Sequence, residues 1–200
     1  WLPIRSPRMV PNKVSWAKLE VGVEAPKNVV LMESSRKLPV PPLVSMCVSM
    51  KTVVNPRTHQ HEIVAISGLV YTKVEAEADT PISGAHMRRF TFMRPLGSLG
   101  PSFPTKFPHD LEPHIKKKNA GRFFETFGNE RAMLTKFLIK VQTEDPDVMA
   151  SHNLFGFEFD VILNRAADLK ISQWDRLGRL KKSKAPRNIN DASIAGRLFV

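Results

Sequence analysis

The chain has 200 residues, 42% of them hydrophobic, with 30 Lys and Arg against 19 Asp and Glu, for a net charge of +11 and a pI near 10.0. That length suffices for one sizeable core with a piece of a second domain, and the charge points to a polyanionic partner without specifying a fold. No apolar run approaches the roughly 20 residues that span a bilayer and no signal peptide is visible, while the single Cys47 excludes an internal disulfide and a thiolate zinc site; the expectation is a soluble intracellular protein.

The start is punctuated by Pro3, Pro7 and Pro11, after which residues 14–21 alternate and read as a strand. Pro26, Pro39, Pro41 and Pro42 frame a linker, and the main domain opens with a strand from Leu43, inside which Cys47 reads as a small buried hydrophobe. Residues 62–71 are apolar on both faces, as in a central strand, and a turn-rich stretch at 75–84 separates them from a third strand at 89–93. These three would form the antiparallel half of a sheet. Residues 95–113 carry enough Pro and Gly to read as an irregular loop.

A helix follows over 129–143. Asn129 suits its N-cap, Glu130 favours the positive end of its dipole, and Met133, Leu134, Phe137, Leu138 and Val141 form one apolar face that covers the sheet. A short strand at 148–151 should run parallel to 43–50, and a turn carrying Asn153 leads into a helix over about 157–170 that packs through Phe157, Val161, Ile162 and Leu169. The apolar run Leu198, Phe199, Val200 reads as a strand, with Val200 in its middle, and together with the start at Trp1 it suggests a fragment of a longer chain.

The segment Asp145-Pro146-Asp147 through His152-Asn153 to Phe157-Glu158 resembles the second exonuclease motif of the family B DNA polymerases, an Asn followed by an aromatic-Asp pair, with Glu158 in the place of the Asp. The first motif of that family is Asp-x-Glu at the end of a buried strand; the matching strand here has Ser49 and Lys51 at those positions. The run Pro41-Pro42-Leu43-Val44 to Ser49-Met50-Lys51-Thr52, then His59-Gln60-His61-Glu62-Ile63, is similar to the alpha-type catalytic subunits within the family. The likeness continues through Trp174 and Gly178-Arg179-Leu180-Lys181, and reaches Trp1 to Pro7 and Val14-Ser15-Trp16 to Glu20 at the N-terminus.

This resemblance implies an α/β, ribonuclease-H-like mixed sheet with flanking helices over residues 41–200, incomplete at its C-terminal end, preceded at 1–40 by the end of an N-terminal domain and a linker. It implies a parent DNA-directed DNA polymerase that extends primase-made primers in the nucleus, with magnesium held in a palm outside this segment and no cofactor within it. The implied partners are primer-template DNA and RNA-DNA hybrid, deoxynucleotides, an accessory B subunit and primase subunits, with no membrane. The segment itself is then a silent exonuclease-like scaffold. Two-metal hydrolysis needs hard oxygen ligands on ions roughly 3.5 to 4 Å apart, which a hydroxyl and an ammonium do not supply. The alternatives are an active 3′-5′ exonuclease with atypical ligands and a stand-alone basic nucleic-acid-binding module.

No residue reads as catalytic or as a metal ligand set. Glu158 is either a helix-start acid favoured by the dipole or a surviving metal ligand. Lys51 is either an exposed strand-end lysine or a stand-in cation that neutralises Glu158. The run Arg176, Arg179, Lys181, Lys182, Lys184 and Arg187, free of acids after Asp175, is a candidate nucleic-acid-binding loop or a solvated surface loop. His59 and His61 lack a third ligand, and His109-Asp110 is a dyad only as a dipeptide.

Overall fold

The computed structural model describes residues 8–30, 40–75, 84–118, 123–182 and 198–199. Its main body is a six-stranded sheet built on two long strands, β3 (Leu43–Val54) and β4 (His61–Val74), paired antiparallel with Ser49 opposite Ser67. β5 (Met87–Met93) adds to β4 antiparallel, so the hairpin half expected from the sequence is present. On the other side of β3 lies β7 (Val148–Ala150), parallel as anticipated, and β8 (Leu198–Phe199) extends the sheet parallel to β7.

The helix α2 (Glu130–Glu144) forms where its apolar periodicity places it. Asn129 caps it, its side-chain oxygen accepting the Ala132 amide at 2.8 Å, and Asp145 ends it in a left-handed conformation. Met133, Leu134, Phe137, Leu138 and Val141 are buried against Met46, Val48 and Met50 of β3 and Ile66, Phe90 and Phe92 of the neighbouring strands. The second covering helix, α3 (Phe159–Asp168), contributes Phe159, Ile162, Leu163 and Ala166 to the same core.

Because side chains alternate along a strand, burying Met46, Val48 and Met50 sends Cys47, Ser49 and Lys51 to the opposite face, where all three are exposed. Cys47 is therefore an exposed free cysteine, contrary to the buried hydrophobe expected of it. The strand was read correctly and the face was not.

Four further expectations change. Residues 14–21 do not form a strand: only an isolated bridge, Ser15 to Leu180, and the two-residue pair β1 (Arg8–Met9) with β2 (Val21–Gly22) are found there. The cause is Glu20, whose carboxylate turns back to accept the amides of Val14 and Ser15 at 3.1 Å each and the Ser15 hydroxyl at 2.6 Å. Those hydrogen bonds, led by the Ser15 hydroxyl, hold the Glu20 pKa below its ordinary value. The stretch read as loop contains a 3-10 turn at Gly97–Leu99 and closes with α1 (Leu111–Lys117), in whose first turn Pro113 is tolerated because no helical hydrogen bond is lost there. A short strand, β6 (Phe124–Thr126), pairs parallel to β5 without any alternation to announce it. The last helix starts at Phe159, because Leu154–Glu158 forms a wider π-type turn first. Val200 lies outside the described residues.

Candidate functional site

β7 follows β3 only from Ser45 to Cys47, so beyond Cys47 that edge of β3 has no strand partner on this side. The chain after β7 fills the gap. Asn153 adopts a left-handed conformation, φ 57° and ψ 43°, which Asn accepts more readily than most residues, and the π-type turn then brings Glu158 back to β3. Glu158 is 8% exposed, and its carboxylate accepts the amide of Met50, the residue between Ser49 and Lys51, together with the Ser151 hydroxyl. Gly156 makes this path possible, since a Cβ there would overlap the Asn153 side-chain oxygen.

Burial pushes the Glu158 carboxyl above its ordinary pKa, against the opposing pull of the Met50 amide and the nearby His152. Among the neighbouring ionisable side chains it is His152, and not Lys51, that acts on it. Lys51 points from the exposed face and makes no ion pair among the described residues. Nor does the Glu158 side chain cap α3, so its position beside the helix start is fixed by the strand edge rather than by free helix amides.

An exonuclease of the two-metal kind would need carboxylates converging here, and these residues do not fit such ions. Ser49 offers one hydroxyl, Lys51 only donors, and Glu158 is engaged by two protein donors. Among the described residues no group of three His, Cys, Asp or Glu side chains could hold a metal. His61 instead shares a hydrogen bond of 3.2 Å with Thr52 and sets its ring edge-on to Phe157, 5.0 Å between centroids. Asp110 stands 3.7 Å from His114 at the surface.

The basic run divides into side chains with different tasks. Arg179 pairs with Asp145 at 3.0 Å and Asp147 at 2.7 Å, and also donates to the carbonyls of Asp145 and Pro146. Although burial works against its charge, the hydrogen bonds to Asp147 and Asp145 hold its pKa above the ordinary value. Asp147 completes the clamp by accepting the Val44 amide at 2.9 Å, which ties the start of β3 to this corner. Arg176 and Lys181 lie against the Trp16 indole, 5.4 and 5.1 Å from its ring centre. The backbone of Lys182 donates to Asp175 at 3.0 Å. Lys184 and Arg187 lie outside the described residues.

Sequence reasoning missed a buried ionic network. Arg94, its side chain fully buried, donates to Glu62 at 2.8 Å, to the Ile63 carbonyl at 2.7 Å and to Ser98 at 2.7 Å. Arg165 makes a two-pronged contact with Glu130, at 3.0 and 2.5 Å, and Glu130 also accepts the Ile63 amide at 2.7 Å. Burial opposes the Arg165 charge, but the Glu130 hydrogen bonds and the Glu130, Glu62 and Asp168 charges hold its pKa above the ordinary value. Glu130 was read as a dipole acid; its carboxylate is in fact a junction between β4, α2 and α3.

A model described as the exonuclease domain of DNA polymerase family B matches residues 1–197. The chain is 35% identical over 187 residues to the DNA polymerase alpha catalytic subunit of Xenopus laevis, covering 94% of this chain and 12% of that protein. Against the same subunit of Mus musculus the identity is 33%, with 94% of this chain and 12% of that protein covered. In Oryza sativa subsp. japonica it is 34%, over 98% of this chain and 13% of that protein. The chain thus spans 12 to 13% of the length of these curated relatives.

Proposed function

The chain belongs to the exonuclease-domain family of the family B DNA polymerases, and from that premise we propose that it is the catalytically silent exonuclease-like module of an alpha-type DNA polymerase. The parent enzyme would extend primase-made primers in the nucleus, with magnesium and deoxynucleotides bound in a palm elsewhere in the protein. Its partners would be primer-template DNA, the accessory B subunit and the primase subunits.

One observation carries the silent reading. At the place where Glu158 meets β3, the flanking residues are Ser49 and Lys51, and Glu158 itself is turned onto the Met50 amide. Neither a hydroxyl nor an ammonium supplies the carboxylate oxygens that a divalent cation takes. What remains is a fold that keeps the exonuclease scaffold and uses it as a rigid block between neighbouring parts of the polymerase.

The parent assignment is tested by sequencing the full transcript that encodes this chain. The reading expects a downstream strand turn of the form Tyr-x-Asp-Thr-Asp, able to present paired carboxylates to two metals. A continuous open reading frame that closes without one would overturn it.

A further inference from the structure

β6 is the outer strand of the sheet on the β5 side. The Phe123 carbonyl accepts the Thr91 amide at 2.6 Å and the Phe127 amide donates to the Met93 carbonyl at 2.8 Å, so these residues turn their backbone groups to β5. Backbone direction alternates along a strand, which sends the N–H and C=O of Phe124 and Thr126 outward, where no described strand pairs with them. Side chains alternate as well. Glu125 pairs with Lys136 of α2 at 3.3 Å, while Phe124 and Thr126 turn to the other face and line a cavity of about 480 Å³.

α1 supplies another part of that lining. Leu111 and Ile115, four residues apart and so on one face of α1, join Phe107 and Pro108 of the preceding loop. Phe107, Leu111, Ile115 and Phe124 are only half-buried, which leaves the cavity an open apolar groove beside a free strand edge. Its charges do not balance. Asp110 stands beside His114 and Glu125 beside Lys136, so Glu112 is the one acid of the lining without an ion pair. Lys106 before Phe107, and Lys116, Lys117 and Lys118 at the end of α1, also take part in no ion pair among the described residues. That excess of lysine favours an acidic occupant.

We infer that the edge of β6 and the groove beside α1 form a docking site for an extended, acidic peptide segment of a partner protein, which adds to the six-stranded sheet as a further strand. The inference does not depend on the polymerase reading. Pairing with Phe124 and Thr126 supplies main-chain hydrogen bonds, alternate apolar side chains of the peptide fill the cavity, and its carboxylates meet the lysines. A nucleic acid would use the lysines and leave the apolar lining without a role.

The test is titration of the 200-residue chain with four fluorescent octapeptides in which Asp alternates with Leu, Ile, Val or Phe, followed by amide hydrogen exchange read by NMR. At least one peptide should bind, and N-methylation of one of its two alternate sets of amides should weaken it about tenfold, methylation of the other set far less. In the free chain the Phe124 and Thr126 amides should exchange quickly and that of Glu125 slowly, and bound peptide should slow the first two. Thr126→Pro removes an outward N–H and no sheet bond, so it should lose binding with thermal melting retained. The double variant Lys116→Glu, Lys118→Glu should weaken binding as well. Binding of none of the four peptides, equal binding by both N-methylated forms, or Phe124 and Thr126 amides that exchange slowly without peptide or stay fast with it would overturn the site. A dimer of the chain, or bound oligo-dT, that protects the same two amides would assign the edge to a second copy or to nucleic acid, and either result would overturn the partner peptide.

Discussion

Glu158 carries a cost that its neighbours do not remove. Burial raises its pKa, so between the unfolded and folded values the native chain holds the proton more tightly than the unfolded chain. The stability contributed by this carboxyl is whole below its ordinary value of 4.5 and is lost as pH rises through the folded value. Glu158→Gln keeps one acceptor for Met50 or Ser151 and drops the charge. Its stability relative to wild type should therefore climb as pH rises above 4.5, as read by urea unfolding at each pH. A difference that stays flat there would mean that the carboxylate is not desolvated. Gly156 is the second single residue on which the site turns. Gly156→Ala forces its Cβ onto the Asn153 side chain and should cost about 1–3 kcal/mol, with the loss visible as a lower unfolding midpoint.

The elements are joined by charges that a linear reading underrates. Removing Glu130 leaves Arg165 buried without its two-pronged partner and the Ile63 amide without an acceptor, so Glu130→Ala should destabilise by about 3–5 kcal/mol. The double variant Glu130→Leu, Arg165→Met should cost clearly less than the two single losses added, and a cycle with no coupling would contradict the network. Arg179→Ala severs the corner between β3, the end of α2 and the segment that carries Arg179. Because its carboxylate partners are about one-third exposed, at 32% and 33%, the loss should be only about 1 kcal/mol. The elements themselves were legible where one local signal sufficed. Asn129 announced α2, and apolar runs bounded by turns announced β3, β4 and β5. Glu62, Arg94, Glu130 and Arg165 carry no such signal, since their meaning comes from contacts between segments far apart in the chain.

At the scale of the molecule, the sheet and its covering helices were legible because burying one face imposes a period on the sequence. What lay outside that period was misread. Cys47 fell on the uncovered face, and β6 was too short to show a pattern. Residues 14–21 alternate like a strand, but Glu20 folds them back onto their own amides. Resemblance to a motif singled out Ser49, Lys51 and Glu158, and the fold sets Glu158 against the amide of Met50, between the first two. The use of Glu158 as an acceptor for the β3 edge became visible only with the fold. The central claim is that this edge no longer holds metal, and the most direct test is degradation of a 5′-labelled single-stranded oligonucleotide by the chain in magnesium or manganese. Wild type should show no metal-dependent shortening from the 3′ end above that of the Glu158→Gln variant. Metal-dependent release of nucleotides by wild type, abolished in Glu158→Gln, would contradict it.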